Sequence, residues 1–172
     1  MQINRRNLSV FCALLAAIIY SAPATADGLK NPSESPILVV TGKIAKTNKG
    51  QRALFDRPML ETMSGTKIKT KTPWYTAEVE FEGVLFPTLL KEIGASGDKL
   101  LITALDDYSA EIDIADLIQN QAILALKRDG QYLSISDKGP LFVVYPYDSK
   151  PELKNEKYYT KSVWQVRRIE VR

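Results

Sequence analysis

The chain of 172 residues carries 23 Lys and Arg against 20 Asp and Glu, with no histidine and one cysteine, Cys12. That near balance gives no general electrostatic basis for binding nucleic acid or an anionic membrane. With no histidine, and cysteine confined to one apolar N-terminal position, the body of the chain has no His-based triad, no His-ligated haem, no thiol nucleophile and no ordinary zinc ligand set.

Arg5 and Arg6 precede the apolar stretch Leu8 to Tyr20, which leads to the small-x-small triplet Ala24-Thr25-Ala26. This pattern predicts a secretory signal peptide over residues 1–26 and a periplasmic location. Cys12 lies inside the apolar stretch, so no lipid anchor is expected at the cleavage site. Arg5-Arg6-Asn7-Leu8 matches a twin-arginine export signal only in part. No later stretch has the roughly 20 apolar residues of a membrane span. Removal of Arg5 and Arg6 takes the formal charge from +3 to about +1 and leaves a length suited to one domain.

Residues 27–35 read as a polar, flexible leader, and residues 36–172 as a single domain. Ile37 to Ile44 is β-branched and is expected to form a strand bending at Gly42. Leu54, Phe55, Met59, Leu60 and Met63 recur at helical spacing, which predicts a helix over Gln51–Met63 with Pro58 in its first turn or kinking it. Thr66 to Thr72 alternates Thr and Lys around Ile68, a strand with Lys67, Lys69 and Lys71 on one face. Val79 to Leu85 is extended. Pro87 opens, and Gly94 stops, a short helix. Lys99 to Leu105 reads as a buried strand. Asp106-Asp107-Tyr108-Ser109 turns into a further strand, after which Asp113 is placed to cap a helix running to Gln119. Ala122 to Lys127 and Tyr132 to Ile135 flank the hairpin signal Asp129-Gly130. Leu141 to Tyr145 and Trp164 to Val171 are the last strands, with Trp164 read as core. A polar excursion, Asp148 to Lys161, separates them. Strands outnumber helices and no repeat is visible, so the class is α+β with a mixed sheet.

Four segments taken in order resemble the sulfite-oxidase fold, the oxidoreductase molybdopterin-binding domain family, in its small secreted stand-alone form. They are FEGVLFPTLLKEIGA (81–95), ALDDYSAEIDIADL (104–117), ALKRDGQYLSISDKGPLFVVYP (125–146) and SVWQVRRIEVR (162–172). In catalytic members, the turn before the proline carries a histidine, and an arginine follows the proline-leucine pair. Here the turn offers Asp137 and Lys138, and Phe142 follows Leu141. The family's molybdenum is held by a cysteine thiolate upstream of the glycine-valine-leucine segment, where this chain has only the Thr, Lys and Ile of Thr66–Pro73. No cofactor is therefore expected, molybdopterin being implied by the resemblance alone.

The resemblance implies a retained pocket among Trp74, Asp107, Tyr108 and Lys138. The expected role is a non-catalytic binding or sensory module for a small anionic ligand or a periplasmic or membrane protein partner. The competing expectation is a molybdopterin-dependent oxidoreductase with atypical ligation. Two further candidates come from the residues themselves. Asp106 and Asp107 form a possible acid/base pair, since crowded carboxylates raise one pKa, or a polar turn. Lys67, Lys69 and Lys71 form an anion site or a solvated edge.

Overall fold

The computed structural model describes residues 28–172, so the predicted signal peptide lies outside the described residues. In chain order the elements are β1 (Leu38–Gly42), β2 (Ala53–Phe55), α1 (Arg57–Met63), β3 (Thr66–Thr72), β4 (Tyr75–Leu85), α2 (Phe86–Ile93), β5 (Lys99–Ala104) and β6 (Ser109–Asp113). There follow α3 (Ile114–Gln119), β7 (Ile123–Arg128), β8 (Gln131–Tyr132), β9 (Phe142–Val144), α4 (Glu156–Lys161) and β10 (Val166–Val171). The class is α+β. One sheet runs β2-β1-β10-β5-β6; the other runs β3-β4-β7-β8, with β9 also on β7. The β1–β10 pair is parallel and joins the two ends of the domain, Val40 opposite Ile169. The other pairings are antiparallel.

Alternation along the strands sorts side chains into two cores. On β7, Leu124 and Leu126 enter the larger cluster with Leu38, Leu100, Ile102 and Ile169. Ile123 and Ala125 enter a smaller one with Phe81, Phe142 and Val144. A strand buried on both faces must be apolar throughout, which is why Ala122 to Leu126 lacks polar residues. Each large aliphatic or aromatic side chain fully buried in this way stabilises the fold by about 1.5–3 kcal/mol. β4 passes close to β7 at Gly83, where a Cβ would lie 2.2 Å from the Leu124 carbonyl oxygen. The register shifts at that point.

Local signals explain several boundaries. Pro87 lies in the first turn of α2, and Gly94 ends that helix in the left-handed region with φ 60°, its N–H reaching the carbonyls of Leu90 and Lys91. Asp129 and Gly130 both take positive φ between β7 and β8. Asp113 occupies the N-cap position of α3 but makes no side-chain cap bond.

The predicted helix over Gln51–Met63 is corrected. It begins only at Arg57, because Ala53–Phe55 pairs with β1, Leu38 opposite Phe55, and buries Ala53 and Phe55 at period two. Asp56 separates strand from helix. Its Oδ1 accepts from the Met59 amide at 2.9 Å, and its Oδ2 accepts from the amides of Ser33 at 2.6 Å and Glu34 at 2.9 Å and from the Ser33 hydroxyl at 3.0 Å. Burial alone would raise this carboxyl's pKa, but the four donors together hold it below its ordinary value. The segment read as a flexible leader is therefore tied to the domain at Ser33 and Glu34, and Leu29 is buried.

Candidate functional site

The β3–β4 turn presents Trp74, whose amide donates to Thr72 Oγ1 at 3.3 Å. The half-buried Trp74 ring packs against both cores. It meets Phe142, Tyr147, Tyr159 and Trp164 edge-on, with centroids 5.5, 6.4, 6.0 and 5.6 Å away. Trp164 is not core, as read from the alternation of the last strand; it is 37% exposed. The reason is local: Gln165 takes a left-handed φ of 51°, so the strand register begins only at Val166.

Facing the two indoles, Tyr108 comes from the β5–β6 turn and donates its hydroxyl to the Thr160 carbonyl at 2.9 Å. Asn155 caps α4 by accepting from the Lys157 amide at 3.0 Å, and that helix supplies Glu156, Tyr159 and Thr160. With Asp106, Ser162 and Val163 these residues enclose a cleft of about 310 Å³, at the small end of ligand sites. Its charged lining is Asp106 and Glu156, and no basic side chain lines it among the described residues.

The structure brings Trp74 and Tyr108 together in this cleft and places the other two predicted residues beside it. Asp107, at φ 67°, directs its carboxylate to Arg167, whereas Asp106 accepts from the Tyr108 amide at 3.1 Å. The acid/base pair is thus a polar turn whose two carboxylates diverge. Lys138 stands at φ 66°, its Nζ 4.5 Å from the Tyr75 ring centroid and 5.4 Å from that of Trp164.

The turn around Lys138 is fixed by main-chain bonds: Gly139 N to Ser134 O at 2.7 Å and Gln165 N to Lys138 O at 2.8 Å. A Cβ at position 139 would lie 2.1 Å from the Leu133 carbonyl oxygen, so only glycine fits. Asp137 accepts from the Tyr75 hydroxyl at 2.9 Å and pairs with Arg128 at 2.5 Å. Burial, then the Asp137 carboxylate, push the Tyr75 phenol up to about 12. The charged turn is accordingly held by its own neighbours.

Two of the three lysines on the basic face of β3 are also paired within the sheet. Lys67 pairs with Glu80 at 2.7 Å and Lys69 with Glu78 at 3.2 Å, both across to β4. This is a cross-strand charge ladder rather than an open anion site.

A family model for the oxidoreductase molybdopterin binding domain matches residues 56–172. The chain belongs to that family. Among solved structures, this molybdopterin-binding domain is similar to the sulfane dehydrogenase SoxCD from Paracoccus pantotrophus, with a TM-score of 0.53 and 16% identity. The match covers 78% of this chain and 37% of that one, so the likeness shows a shared fold over little more than a third of the SoxCD chain. No curated protein sequence matches the chain.

The donor set of this molybdopterin-binding domain does not fit a thiolate-held molybdenum. The described residues contain no cysteine, and no group of three or more Cys, His, Asp or Glu is placed among them to hold a metal. On β3, Thr70 and Thr72 are buried, and both are engaged. Thr70 Oγ1 accepts from the Asp148 amide at 3.0 Å, as Thr72 does from Trp74.

Glu156, Thr160 and Trp164 were not singled out as site residues by sequence. Their signal was Asn155-Glu156, a helix start inside the polar excursion.

Proposed function

We propose that this domain is a periplasmic, non-catalytic binding module that takes a small ligand in the cleft between Trp74 and Trp164. The observation that carries this reading is the pairing of an aromatic-walled cleft with a β3 strand whose two buried hydroxyl oxygens, those of Thr70 and Thr72, each accept from a backbone amide. The family's fold is kept while the ligand chemistry at that strand has changed. The N-terminal sequence, with its apolar stretch and Ala24-Thr25-Ala26, supports export.

Molybdenum and pterin content of the protein purified from its native compartment tests the reading. Neither is expected at stoichiometric level in folded protein from cells whose other molybdenum enzymes are loaded. Stoichiometric metal with pterin overturns the proposal in favour of an oxidoreductase with atypical ligation. Native mass spectrometry of the same preparation is expected to show a small noncovalent adduct, lost in the Trp164→Ala variant.

A further inference from the structure

Resting on the binding-module reading, we infer that the cleft's ligand is a small organic ammonium cation. The expectation of an anionic ligand was tied to Lys138, yet Lys138 does not line the cleft and its ammonium lies against aromatic rings. Three observations point to the opposite charge.

First, four of the lining side chains are aromatic: Trp74, Tyr108, Tyr159 and Trp164. The faces of such rings carry negative electrostatic potential, and Trp gives the strongest cation–π attraction. The Lys138 ammonium, 5.4 Å from the Trp164 centroid, demonstrates within this molecule that the ring accepts such a charge.

Second, the charged residues on the lining are Asp106 and Glu156, and neither forms a salt bridge among the described residues. Asp106 keeps one oxygen free of protein donors, since only Oδ1 accepts from the Tyr108 amide.

Third, several hydroxyls that an anion would need as donors are already used. Tyr108 donates to Thr160 O, Thr160 Oγ1 to Glu156 O, and Ser162 Oγ to Tyr158 O. An anion entering the cleft meets two carboxylates with no basic side chain on the lining to offset them, whereas an ammonium meets aromatic faces and two counter-charges.

Titration of the purified protein with choline, with its uncharged carbon isostere 3,3-dimethylbutanol and with inorganic phosphate, by calorimetry and by ¹H–¹⁵N NMR, tests this assignment. Choline is expected to bind at least about tenfold more tightly than the isostere, shifting the indole resonances of Trp74 and Trp164. The double variant D106N/E156Q is expected to reduce that preference to about threefold or less, with an unchanged circular dichroism melt. Lys138→Met is expected to leave choline affinity unchanged or to tighten it.

Equal affinity for choline and the isostere overturns the cation assignment, as does absence of choline binding to folded protein. Phosphate binding that Lys138→Met abolishes also overturns it, while leaving the binding-module reading standing. That reading fails separately, on the molybdenum and pterin content of the same preparation.

Discussion

Around Asp56 a carboxylate is wholly buried and met by four protein donors. At the cleft, Asp106 and Glu156 stand exposed on the lining without a salt-bridge partner among the described residues. The first arrangement joins residues 33 and 34 to the start of α1 and serves the fold. The second contributes nothing comparable to folding and leaves acceptor capacity at a cavity. Charge type is the same in both regions, so what separates these carboxylates is whether the protein supplies their partners. The β3 lysines belong with Asp56 by this measure, since glutamates of β4 answer two of the three.

The comparison breaks most visibly at Asp56. Asp56→Ala removes a helix cap, worth about 1 kcal/mol, and strands the amides of Ser33 and Glu34. A total loss of about 2–4 kcal/mol in urea denaturation is expected. The wild-type carboxyl titrates below its ordinary value when folded, so its stabilisation is complete above about pH 4 and is lost as pH falls through the folded value. The variant is accordingly expected to show a shallower acid limb in stability measured from pH 6 to 2.

Asp148→Ala comes next in size. Asp148 accepts from the Lys71 amide at 2.6 Å and pairs with Lys154 at 2.5 Å, and its loss is expected to cost about 1–2 kcal/mol in the same denaturation. Trp164→Ala removes the edge contact with Trp74. A loss of about 0.5–1.5 kcal/mol beyond the buried area is expected in a thermal melt, together with loss of the native adduct. Smallest in stability is D106N/E156Q, expected within about 0.5 kcal/mol of wild type. A large destabilisation there would place these carboxylates with Asp56 and end the contrast.

The fold was legible where local chemistry acts alone. Pro87 and Gly94 bracket α2, Asp129-Gly130 makes its turn, and the Thr-Lys alternation makes β3. It was less legible where distant pairing decides. Leu54 and Phe55 fit a helical spacing with Met59 and Met63, and only pairing with β1 makes them a strand. The parallel register of β1 on β10 has no local signature. Of the cleft, Trp74 and Tyr108 were legible because each sits at a marked turn. Glu156 and Thr160 were hidden in a polar run, and Trp164 was misread because the left-handed Gln165 interrupts an otherwise regular alternation.

The chain has two tryptophans, and they form one T-shaped pair, 5.6 Å apart at 83°. All of the protein's indole emission therefore originates at the wall of the cleft. The unmodified protein thus carries its own optical label at this position, and screening native extracts for the ligand needs no dye, tag or engineered probe.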